Sequence, residues 1–117
     1  MNTETWPQTL DALTAAPEHH RLLLENAAVR VLDTRVLPGQ TVPLHTHQWP
    51  SVLYILSWGQ FVRRDEAGSV TLDSRTVPAL AASPGTLWSP PLGPHTLENV
   101  GSTEIRVIAV ELKPPNA

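Results

Sequence analysis

From residue 20 onward the chain reads as short stretches in which apolar side chains recur at every second position or fill a few consecutive places. Glycine, proline, asparagine or aspartate separates one stretch from the next. Alternation is clearest in Val29, Val31, Asp33 and Arg35. The pattern predicts strands over His20 to Glu25, Val29 to Leu37, Thr41 to His47 and Ser51 to Ser57. It predicts further strands over Phe61 to Arg64, Ser69 to Asp73, Gly85 to Ser89, His95 to Asn99 and Glu104 to Leu112. Thr76 to Pro84 is less regular, and a Pro-Pro-Leu-Gly-Pro turn precedes His95. Ahead of the strands, Thr5 to Ala16 predicts a short peripheral helix, with Thr5 as cap, Pro7 in the first turn and Pro17 as the stop. About nine short strands with a turn signal every eight to twelve residues point to an all-β antiparallel sandwich or barrel of jelly-roll type. No helix-length amphipathic segment lies between strands, which excludes a βαβ architecture.

Composition narrows the classes. The 117 residues, 41% of them hydrophobic, suffice for one core. We read residues 1–19 as an N-terminal extension, 20–113 as the β domain and 114–117 as a tail. Charged residues make up 16% of the chain and the net charge is −3, with Lys113 the sole lysine and no basic patch, so nucleic acid is not an expected partner. No apolar run reaches the length of a bilayer span, and a cytoplasmic protein that does not contact membrane is the expectation. Cysteine is absent, which removes disulfides and thiolate ligands. Any metal must be held by nitrogen and oxygen.

The sharpest chemical signal is His45-Thr46-His47, inside GQTVPLHTHQWPSVLYILSWG. In a strand, residues two apart share a face, so these imidazoles can meet one ion. His95 lies in a second Gly- and Pro-bounded stretch, GTLWSPPLGPHTLEN, which suggests a site assembled from distant strands.

These two stretches resemble the paired motifs of the cupin superfamily. Gly39, His45, His47, Val52 and Gly59 match the first motif in spacing, with Val52 where many cupins carry a liganding glutamate. Pro91, Gly93, His95 and Asn99 match the second to within one residue. The likeness runs from about Arg21 to Lys113 and extends to a group of small single-domain bacterial cupins named for beta-alanine degradation, in which that glutamate is also commonly missing. It implies a double-stranded β-helix with a divalent metal, Fe, Zn, Ni or Mn, held by His45, His47 and His95. Cupins that look like this one commonly form homodimers.

Three neutral imidazoles would leave the full 2+ charge on the ion and open positions beside it, suited to a small anionic or chelating molecule. Binding should weaken below about pH 6, where imidazole protonates. If Val52 points inward, Tyr54 and Leu56 should too, with Leu97 beside His95 and with Trp49 and Trp88 at the rim. Tyr54 would then be the candidate catalytic side chain, the alternative being that the aromatics pack a core or a dimer. Gln48 or Glu98 could replace the missing glutamate as a fourth ligand. His19 and His20 fall outside both motifs and are expected in solvent, as are Arg63 and Arg64 apart from a role facing an anionic substrate. Two functions follow. One is a metalloenzyme of dioxygenase, isomerase or lyase type. The other is a non-catalytic binding or sensing protein with a structural or empty metal site.

Overall fold

In the computed structural model, which describes residues 6–115, nine strands form two antiparallel sheets facing each other. The strands are β1 (His20–Glu25), β2 (Val29–Val36), β3 (Thr41–His47), β4 (Ser51–Ser57), β5 (Phe61–Asp65), β6 (Val70–Asp73), β7 (Thr86–Ser89), β8 (Leu92–Asn99) and β9 (Ile105–Leu112). One sheet runs β1-β2-β9-β4-β7 and the other β3-β8-β5-β6. Every named pairing is antiparallel. The predicted strands therefore appear with shifts of one to three residues at their ends.

The largest shift is at β8, which begins at Leu92 instead of His95 and leaves only Pro90 and Pro91 as the turn. Pro94 has no N–H to give the ladder, and the β3–β8 register slips between Val42 and His45 and again between His45 and His47. Proline is tolerated in a strand at such irregularities. Thr76 to Pro84, irregular in sequence, holds parts of two 3-10 turns, Ser74–Thr76 and Pro78–Leu80.

The N-terminal helix is shorter than expected. Its expected cap, Thr5, lies outside the described residues. A 3-10 turn, Gln8–Leu10, is separated from a single α-turn, α1 (Ala12–Ala15), by Asp11, whose backbone is extended at φ −54°, ψ 143°. Asp11 caps α1 by accepting from the Leu13 N–H at 3.1 Å, while its carboxylate is also held by Arg30. That tertiary demand overrides helix propensity. The segment packs inside the sandwich, with Ala12 and Ala16 fully buried.

The core between the sheets divides in two. Ala16, Val36, Val42, Phe61 and Ile105 form one cluster, and Ala12, Leu32 and Ala109 the other. In the five-stranded sheet the inward residues are even-numbered in β2 and odd-numbered in β4 and β9, as the pairings Leu32↔Ala109 and Leu53↔Ala109 require.

Two motif residues have structural reasons. Gly39 adopts φ +83°, the left-handed region, in the turn between β2 and β3. Gly59 allows the chain to pass against the loop before β9: a Cβ there would lie 2.6 Å from the Thr103 carbonyl oxygen and 3.0 Å from Ile105 Cγ1. Gly59→Ala should therefore destabilise the protein by about 1–3 kcal/mol through overpacking, read as a lower urea midpoint at unchanged slope. An unaltered midpoint would show that this approach is not a constraint.

Candidate metal centre

Four histidines converge between the sheets. His45 and His47 come from β3 and His95 from β8, with His45 paired to His95 across the ladder. The fourth is His20, the first residue of β1, and it brings the other sheet to the same point. Ring centroids lie 4.2 Å apart for His45 and His95, 5.0 Å for His45 and His47, 4.9 Å for His20 and His45, and 5.4 Å for His20 and His47. His47 and His95 are 5.8 Å apart. One ring nitrogen from each of His20, His45 and His47 falls within 4.8 Å of the others. His20 was expected in solvent but is 5% exposed. The tight turn after α1 and pairing with β2 carry it inward.

Each of the four imidazoles uses Nδ1 as a donor away from the cluster. His45 donates to the Pro43 carbonyl at 2.8 Å, His95 to that of Gly93 at 2.7 Å and His20 to that of Ala16 at 3.0 Å. His47 donates to Glu111 Oε2 at 2.9 Å. A neutral imidazole with Nδ1–H committed has its lone pair on Nε2, so the tautomers are fixed with Nε2 as the ligating nitrogen. The carbonyls of Pro43 and Gly93 lie where the β3–β8 register slips, which leaves them able to accept from side chains. Burial lowers the pKa of His20 to about 4, with neighbouring His47 adding to the shift. Burial lowers His95 to about 3, against the raising effect of its Gly93 hydrogen bond. His45 is held far below the usual imidazole range, first by burial and then by the rings around it. These three are neutral at physiological pH, as metal binding requires.

Behind His47 lies a buried ion network. Glu111 is 1% exposed and accepts from His47 through one oxygen and from Arg30 Nε through the other, at 2.6 Å. Arg30 in turn donates two hydrogen bonds, 3.0 and 2.9 Å, to Asp11. Burial alone would raise the Glu111 pKa, but the His47 and Arg30 hydrogen bonds outweigh it and hold the carboxyl below its ordinary range. Such carboxylates orient and strengthen a liganding imidazole. Ser51 stands directly opposite Glu111 across β4 and β9.

The cluster faces a cavity of about 120 Å³ whose walls include Val36, Val42, Leu53, Leu97, Ile105 and Val107, with Arg63, Thr34, Ser51 and Ser89 as polar members. Leu97 thus lies where the sequence put it. Val52, Tyr54 and Leu56 do not: they are 41%, 55% and 47% exposed on the outer face, and the inward residues of β4 are Ser51 and Leu53. Strand periodicity is two, so placing the glutamate position one residue late turned the whole set to the wrong face. Tyr54 is accordingly remote from the cup. Trp88 is 59% exposed and pairs with Val52; it does not line this cavity but borders the apolar chamber next to it. Trp49 lies under the Arg30 guanidinium and the Lys113 ammonium, 5.1 and 5.3 Å from its ring centroid. Glu98 is taken by Arg64 at 2.9 Å, and Gln48 does not line the cavity. Asn99 is a buried staple, donating to the Val36 and Thr103 carbonyls and accepting from Gly101 N–H.

The depressed imidazoles give the metal-free fold a defined acid sensitivity. Below the unfolded pKa of 6.5 the open chain binds protons that the fold excludes, down to about 4 for His20 and about 3 for His95. Stability is therefore present above 6.5 and is lost as pH falls through that window, by about 2 kcal/mol per histidine at pH 5. Urea melts of chelator-treated protein at pH 7.5 and 5 should show a drop of several kcal/mol, and a flat profile would contradict burial of neutral imidazoles.

No protein-family profile matches the sequence, and no curated protein matches it. Solved structures do. A cupin domain from Bordetella pertussis superposes with TM-score 0.63 at 23% identity, covering 81% of this chain and 92% of the other. An RmlC-like cupin from Methanocaldococcus jannaschii gives 0.56 at 14%, covering 80% and 77%. The polyketide cyclase RemF from Streptomyces resistomycificus gives 0.54 at 18%, covering 99% and 80%. Likeness at these identities is a likeness of fold, and the fold is the cupin double-stranded β-helix, built here from two antiparallel sheets with the histidines between them.

Proposed function

We propose that this chain is a metal-dependent cupin in which His45, His47 and His95, joined by His20, hold one divalent ion, Fe, Zn, Ni or Mn, beside a cup that takes a small anionic or chelating metabolite. The observation carrying this reading is the convergence of four imidazole rings whose Nδ1 atoms all bond away from the cluster, with ring nitrogens of His20, His45 and His47 within 4.8 Å of one another and the His95 ring against that of His45. A divalent ion bound there supplies a Lewis acid that polarises a substrate oxygen. The protein does the rest. Glu111 fixes the His47 tautomer, the backbone fixes the other three, and the aliphatic wall keeps water from competing.

Turnover of dioxygenase, isomerase or lyase type fits a metal with open positions, and the likeness to the group named for beta-alanine degradation supports a small single-domain metal cupin of this kind. A second reading, a non-catalytic binder or sensor, draws on one feature of the cup. Among the described residues that line it there is no aspartate or glutamate to act as a base, only the hydroxyls of Thr34, Ser51 and Ser89 besides the histidines and Arg63. A metabolite screen with oxygen consumption and product formation as readouts separates the two.

For the centre itself, protein purified without added metal and then titrated with Zn should bind one ion per chain by elemental analysis. His45→Ala should abolish it, and retention of the ion in that variant would refute the assignment. His20→Ala leaves the other three in place; a loss of affinity makes His20 a ligand, and unchanged affinity restricts the set to three.

We include a homodimer in this reading, supported by the outer face of the five-stranded sheet. Trp88, Val52, Val110, Val31 and Leu24 follow one another across five strands in a continuous apolar row. Trp88, Val52 and Leu24 are exposed, with Tyr54 and Leu56 alongside. Such a patch on a small protein marks a contact surface. Light scattering should give twice the 12.8 kDa chain mass, and Val52→Arg should halve it. A monomeric wild type would remove the dimer from the proposal.

A further inference from the structure

Arg63 differs from the chain's other arginines. Arg30, Arg35, Arg64, Arg75 and Arg106 each have a carboxylate within 4.0 Å, and Arg21 is exposed. Arg63 extends from the inner face of β5, where it pairs with Leu97. That places it diagonally across from His95, at about 7–8 Å between backbones. Its Nε is out of solvent contact and has no hydrogen-bond partner in the protein. Asp65 and Glu66 border the opening on its outer side, yet no ion pair joins either to Arg63 among the described residues. The charge is felt at the cluster, since Arg63 helps lower the His95 pKa, and burial lowers the pKa of Arg63 itself.

A half-buried arginine whose Nε is shut from solvent without a partner beside an aliphatic wall is unfavourable, and leucine or methionine would pack there at less cost. Arg63 also borders a second cavity, of about 310 Å³, walled by Leu53, Ile55, Trp58, Phe61, Leu72 and Leu80. It therefore stands where the histidine cup meets a larger apolar chamber.

We propose that Arg63 is the carboxylate anchor of the cup, and that its ligand is a small carboxylic acid with a second oxygen donor, carbonyl or hydroxyl, near the carboxylate and an apolar tail. The proposal rests on the metal reading above and names the ligand class for that site. A carboxylate satisfies the planar guanidinium through paired charge-assisted hydrogen bonds. Its neighbouring oxygen then faces the imidazoles, and the tail enters the apolar chamber. The histidine cup, about 120 Å³, has room for roughly four waters at about 30 Å³ each, so the polar end of the ligand is of simple oxo- or hydroxy-acid size.

The test uses the full chain, Co(II), and 4-methyl-2-oxopentanoate against its methyl ester. Co(II) uptake is read from visible absorption, and ligand affinity by calorimetry with and without the metal. Wild type should prefer the acid by about ten- to hundredfold. Arg63→Met should lose that preference while taking up Co(II) normally and melting no lower than wild type, and Arg63→Lys should recover part of it. A merely structural arginine would lower the melting temperature and leave the acid-to-ester ratio unchanged. Retention of the preference in Arg63→Met, or a wild type that shows none at millimolar concentration, overturns the anchor. A wild type that takes up no Co(II) overturns the metal reading instead, and the ratio measured without metal still decides the role of Arg63.

Discussion

The structure depends on Arg30 being held between two carboxylates. Glu111 sits behind the histidines at 1% exposure, and Asp11 caps α1 from a position 7% exposed. Burying either side chain there without a partner would be unfavourable, because desolvating a carboxylate costs several kcal/mol. The guanidinium meets both, Asp11 with two hydrogen bonds and Glu111 with one. The same contact ties the N-terminal segment, β2 and β9 into one body and fixes His47 at its far end. Removing Arg30 would leave two buried anions, whereas removing all the charges together would mainly cost orientation at the imidazole. The network is therefore better understood as a device for positioning than as a source of net stability.

Alternation and turn residues made the strands legible, because a half-buried strand writes its period of two directly into sequence. The convergence of His45, His47 and His95 was legible for the same reason, helped by glycines whose spacing marks close approach and positive φ, although the three histidines whose ring nitrogens fall within 4.8 Å are His20, His45 and His47. His20 carried no local signal. Its place follows from β1 pairing with β2 at the edge of the opposite sheet, a non-local fact that a window of residues around His19 and His20 does not contain. The Arg30, Glu111 and Asp11 network was hidden likewise, since its members are 19 and 81 residues apart. Val52, Tyr54 and Leu56 show the opposite failure. A motif placed one residue late is nearly right as text and wholly reversed in space.

That reversal changes how the missing glutamate is understood. The inward residue at that place is Ser51, and Ser51 lies directly opposite Glu111 across the ladder. A carboxylate is thus retained within one strand spacing of the position where many cupins use one as a ligand. It acts from behind His47 rather than facing the other imidazoles, with both oxygens already engaged. The inner ring is then built of imidazole nitrogens, while the negative charge sits one imidazole away and reaches the centre only through a polarised Nδ1–H. Compared with a carboxylate in direct contact, this arrangement leaves more of a bound cation's charge for an anionic ligand. The Arg63 side chain, whose buried Nε has no partner in the protein, adds a positive charge at the wall of the cup. The network behind the cup and the unpartnered Arg63 Nε within it therefore both support the occupant proposed above, a small anion.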